Sequence, residues 1–149
     1  MNSQTNPNTP PPAPTDLPNA PEETPFEKLR KSTVGFPSDA KISAWKAQAP
    51  GGRLKVFSPD GVRVFILRGL SGLELASIHN NVPKNASNPD AEVQIAAAAK
   101  CTLFTSAGPL TEEALRTGPA GLPESLFAFV QNLSDFYDPV QLFNLSMEL

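Results

Sequence analysis

His79 and Cys101 are the only histidine and the only cysteine in this chain of 149 residues. A thiolate beside an imidazole becomes a competent nucleophile when a third group orients the ring. The sequence places no such group around His79. A zinc site draws three or four ligands from Cys, His or carboxylate, which one His and one Cys do not supply. His79 instead suits the end of a helix, where its partial charge complements the dipole. Cys101, at the end of an alanine-rich run, suits a core. Glu112-Glu113 and the pair Asp135 and Asp138 are neighbouring acids of the kind usually found solvated at helix starts. No GxGxxG or Walker-type loop occurs, and Pro50-Gly51-Gly52 lacks the lysine and the helix that a phosphate loop requires. The expectation is therefore a non-enzymatic protein with no catalytic, cofactor-binding or metal-binding residues.

One charged pair is notable for its position. Arg68 closes an apolar strand and Glu74 falls in the first turn of the next helix. An ion pair or cap at this strand–helix corner is the structural reading, and direct contact with a partner is the alternative.

The elements that must position these residues follow from pattern. Thr24-Pro25-Phe26-Glu27 is a capping box with proline at the first helical position. Val34-Gly35-Phe36-Pro37 ends that short helix. A second helix runs from Ser38 or Asp39 to Ala49, with Ile42, Trp45 and Ala49 on one face, and stops at Pro50-Gly51-Gly52. Leu54 to Ser58 reads as a strand, Pro59-Asp60-Gly61 as a turn, and Val62 to Arg68 as a second strand that is apolar on both faces. Ser71 to Glu74 is another capping box, opening a helix to about Ile78 or His79. Asn80 to Asn88 reads as a loop. The longest helix spans about Pro89 to Phe104, with Val93, Ala97 and Lys100 or Cys101 on one face. After a turn of helix at Thr111–Arg116, Leu122, Leu126, Phe129, Val130 and Leu133 form an apolar stripe, and Asp138-Pro139 caps a final short helix.

Composition divides the chain. Eight of its 17 prolines lie in residues 1–25, which hold no Lys or Arg and one large aliphatic residue, Leu17. Such a stretch buries too little surface to offset its ordering entropy. Residues 1–24 are expected to be a disordered proline-rich tail, and 25–149 a single α+β domain, mainly helical after residue 70. The fold class is a small β-hairpin packed against several mostly C-terminal helices. No run reaches the roughly 18 apolar residues of a membrane span, no secretory signal is visible, and a lone cysteine suits a reducing cytoplasm. The net charge of −3 hides a strong asymmetry. Residues 28–68 carry nine Lys or Arg against two acids, whereas 69–149 carry three against nine. A basic half raises the question of nucleic acid. These basic residues are spread singly, and Trp45, Phe57 and Phe65 sit at core-like positions, so a nucleic-acid adaptor is a weaker alternative. Halves that face one another within the fold account for the asymmetry more simply, and complementary contact between copies or with a partner is the sharper account.

Several segments occur in a recognisable order: Ser43-Ala44-Trp45-Lys46 before the hairpin, VFILRGL with a glutamate six residues after its arginine, Lys100-Cys101-Thr102-Leu103, and Ala120-Gly121-Leu122-Pro123 leading to Leu133-Ser134-Asp135-Phe136. This order resembles the small tail assembly chaperones of long-tailed bacteriophages and related baseplate-hub assembly factors. The resemblance covers about Ile42 to Phe136. It falls on Arg68, Leu70 and Glu74 at the corner, and on Gly121, Leu122, Pro123, Ser134 and Phe136 late in the chain. The proline-rich start and the loop at Pro83–Asn88 depart from it. The resemblance implies a chaperone that holds an aggregation-prone tail or baseplate-hub protein, its client, in the host cytoplasm during virion assembly. A structural baseplate or tail subunit retained in the virion is the alternative. The last fifteen residues are rich in large apolar side chains, and an apolar end segment is a known recognition mode. Phe136, Tyr137, Val140, Leu142, Phe143 and Leu145 are accordingly the candidate partner-binding residues, for a client or for a second copy in a homo-oligomer.

Overall fold

A computed structural model describes residues 21–136 and Ser146. Most of the proline-rich tail and the expected final helix at Asp138-Pro139 lie outside the described residues. In chain order the elements are α1 (Pro25–Ser32), α2 (Asp39–Gln48), a 3-10 turn (Pro50–Gly52), β1 (Leu54–Phe57), β2 (Phe65–Arg68), α3 (Gly72–Asn81), α4 (Pro89–Cys101), β3 (Thr102–Thr105), α5 (Glu112–Thr117) and α6 (Gly121–Leu133). The fold is α+β, with an antiparallel sheet of order β1-β2-β3.

Local chemistry sets most boundaries. Thr24 and Ser71 both close capping boxes, each hydroxyl accepting from the N–H three residues on while the glutamate returns the bond. Asn88 caps α4 through its side-chain oxygen, ahead of Pro89 at the first turn. Of the boundaries that differ from those read in the sequence, α3 runs on through Asn80 and Asn81 of the expected loop, and the two larger changes have local causes. The second strand begins at Phe65, not Val62, because the Asp60 carboxylate accepts from the N–H groups of Val62 and Arg63 and from Arg63 Nε, which holds that stretch in the turn. The long helix ends at Cys101, and Thr102–Thr105 leaves it to pair with β2 as a third strand. The β-branched Thr102 suits that change, and its hydroxyl donates to the Ala98 carbonyl of the last helical turn.

The sheet is covered unequally on its two faces. Phe57, Phe65 and Leu67 face α4 and α6, where Val93, Ala97, Cys101, Leu126, Val130 and Leu133 form the main core. Phe57 lies 4.4 Å, centroid to centroid, from Phe129. The other face carries Val56, Ile66 and Phe104, directly opposite one another across the strands. Its cover is thin. Phe36 packs on Phe104 and Phe26 on Phe36, and Ala49 and Pro37 are buried, but neither α1 nor α2 contains a buried residue. Val64 and Ile66 are nevertheless fully enclosed.

The end of α6 is locked to the β2–α3 corner. Gly69 lies so close that a Cβ there would fall 2.5 Å from the Leu133 carbonyl oxygen. Leu70 N–H donates to Ser134 Oγ at 2.8 Å, and Arg53 donates to the carbonyls of Asn132 and Leu133 and to the Asp135 carboxylate. Lys55 reaches Asn132 Oδ1. These contacts join the basic segment to the acidic one.

Candidate functional site

Arg68 and Glu74 meet at the corner. Arg68 Nη1 donates to Glu74 Oε2 at 2.9 Å and Nη2 to Oε1 at 2.8 Å, a bidentate pair, and Nη1 also reaches the Gly69 carbonyl. Glu74 Oε2 accepts in addition from the Ser71 N–H. The Arg68 hydrogen bonds lead in holding the Glu74 carboxyl down at about 2, helped by Ser71 and resisted by burial. The same pairing raises Arg68 above its usual value. Both oxygens of the carboxylate are committed, so the pair fixes shape and leaves little capacity for proton transfer.

Beside this pair runs a groove of about 500 Å³, walled by the end of α2, the start of α3 and β3. Trp45, Ala49, Pro50, Leu73 and Leu103 give it apolar surface. Leu73 is 85% exposed. Trp45 was expected in the core with Phe57 and Phe65; it is half-buried at the groove wall, its ring 5.3 Å from Lys41 Nζ. A second cavity of about 600 Å³ lies between α3, α4 and α5. There Arg116 bridges Glu92 at 2.7 Å and Glu112 at 3.4 Å, so Glu112 pairs locally.

The structure does not assemble His79 and Cys101 into a pair. Cys101 is fully buried, its thiol directed at the Gly69 carbonyl, and burial pushes it up to about 12. At neutral pH it is a protonated core thiol. His79 is exposed near the end of α3, where its carbonyl accepts from the Val82 N–H. Among the described residues no three His, Cys, Asp or Glu side chains come together to hold a metal ion. No helix among them is long and apolar enough to cross a membrane. Phe136 is 48% exposed at the end of α6, while Tyr137, Val140, Leu142, Phe143 and Leu145 lie outside the described residues.

Leu73 escaped the sequence reading, though a signal for it exists. At about 100° per residue it lies far round the helix from Leu75 and Ile78. It therefore points away from the core that Ile78 enters. Compared with protein-family models, with curated proteins and with solved structures, the chain matches none.

Proposed function

We propose that this protein is a non-enzymatic assembly chaperone of a phage tail, which binds an aggregation-prone tail or baseplate-hub protein in the host cytoplasm while the virion is built. The observation that carries the reading is Leu73, a large aliphatic side chain 85% exposed at the lip of an apolar-walled groove. The charged pair beside it, Arg68 and Glu74, is already satisfied within itself, which leaves apolar burial as the main interaction on offer. The order of segments from Ile42 to Phe136 supplies the phage-tail part of the proposal. Of the basic residues that raised nucleic acid, Arg30, Arg53, Arg63 and Arg68 each pair with a carboxylate, which weighs against a free phosphate-binding stripe.

The test is co-expression with the tail proteins of the same phage. One tail protein should be soluble with the chaperone, insoluble without it, and insoluble again with a folded Leu73→Asp variant. Equal solubility of every tail protein with and without the chaperone sinks the proposal.

A further inference from the structure

The two outer strands of the sheet are guarded very differently. β1 carries an exposed lysine, Lys55, follows Arg53, and is succeeded by Pro59. Charge and proline are the usual devices that keep an edge strand from pairing with another chain. β3 has neither. No charged residue occurs anywhere from Cys101 to Thr111, and Thr-Leu-Phe-Thr is strongly β-prone.

The backbone of β3 offers a free edge. Ser106 N–H donates to the Val64 carbonyl, and Phe65 stands opposite Thr105. Alternation along an antiparallel ladder then turns the N–H and C=O of Thr105 away from β2. No turn, loop or cap hydrogen bond among the described residues takes them up. A groove of about 460 Å³ runs along this side, lined by all four residues of β3 and by the 108–110 turn, with no β2 residue in its wall.

We propose that β3 is the pairing edge of a homodimer, in which β3 of a second copy adds antiparallel and the two sheets become one of six strands. Such a pairing has its two-fold axis perpendicular to the sheet, so one residue must stand opposite its own counterpart. Phe104 is that residue in the register that joins Thr105 of each copy to Leu103 of the other. It falls at a position without inter-copy hydrogen bonds, where side chains approach most closely, and an aromatic pair there is favourable. The aromatic row of Phe26, Phe36 and Phe104 would then continue across the axis. A second copy fits this edge because the strand is its own complement in that register and sets no like charges against each other. Guarded β1 strands at both ends stop growth at two copies. Two four-residue edges bury less than the roughly 1,200 Å² of a stable interface, so the dimer is weak and depends on concentration.

Sedimentation of the full chain from about 1 μM to about 1 mM should follow a monomer–dimer equilibrium. Thr105→Pro removes the outward N–H, and with it the exposed turn bond that the Thr105 hydroxyl accepts from Ala107 N–H, and should abolish the dimer while far-UV circular dichroism is unchanged. If that variant does not fold, Thr105→Lys carries the test by placing a charge on the edge, with dimerisation weakened at least about tenfold. A chain monomeric throughout overturns the proposal, as does a dimer that the folded variants retain. A monomer whose Thr105 amide is protected from exchange only when a tail protein is added also overturns it, and assigns the edge to a client strand instead.

Discussion

Replacing Glu74 by Gln asks whether charge or shape holds the β2–α3 corner. Glutamine at the third helical position can still close the capping box with Ser71. What it removes is the bidentate ion pair with Arg68, at 2.8 and 2.9 Å. A fully exposed pair is worth roughly 0–1 kcal/mol. This one is half-buried and charge-assisted, and its loss leaves Arg68 without a charged partner and with one fewer acceptor. The variant should therefore lose about 1–2 kcal/mol near neutral pH, after allowance for water at the partly open site. That corresponds to a melting temperature lower by roughly 3–10 °C. The pH dependence sharpens the test. Pairing with Arg68 lowers the Glu74 carboxyl from 4.5 to about 2. A depressed carboxylate stabilises the fold fully above its unfolded value, and that stability is lost as pH falls through the folded one. Gln does not titrate, so the gap between wild type and variant should be constant above 4.5 and close toward 2. Urea midpoints followed by circular dichroism from about pH 7 to about pH 3 measure it. Equal stabilities near neutral pH, or a gap that persists undiminished in acid, would refute the account of the corner.

Other outcomes are also expected. Leu73→Asp should change stability by less than about 0.5 kcal/mol, since its side chain touches little, while client solubilisation is lost; urea melts and co-expression read the two effects separately. Gly69→Ala should destabilise by about 2–4 kcal/mol, because its Cβ meets the backbone of Leu133 and cannot be relieved by a side-chain rotation; the urea midpoint reports it. Cys101 should resist a thiol reagent in the native state and react at the rate of unfolding, so fast labelling of folded protein would contradict its burial.

Much of the fold was legible because it is written locally. The capping boxes at Thr24 and Ser71, the proline at Pro89 and the apolar stripe of α6 each specify their element within a few residues. The corner pair was legible for the same reason, with Arg68 and Glu74 six residues apart across one turn of chain. β3 was not. Thr102–Thr105 follows an alanine-rich helix without a glycine or proline to mark a break, and only the open edge of β2 makes it a strand. The groove was also hidden, because Trp45, Leu73 and Leu103 are brought together by tertiary packing alone. The candidate residues from Tyr137 to Leu145 rest on composition, and the described residues do not reach them.

The unequal cover of the sheet has a consequence for how the molecule opens. A layer whose two helices bury no residue gains little from staying in place, whereas β2 is enclosed on both faces. Protein regions of such different burial unfold as separate cooperative units. Amides of residues 25–48 should exchange hydrogen first, in partial openings that leave the rest intact, and those of Phe65–Arg68 last, only in global unfolding. In the partly open state the face bearing Val56, Ile66 and Phe104 meets solvent, so the first loss of structure uncovers the sticky side of the sheet.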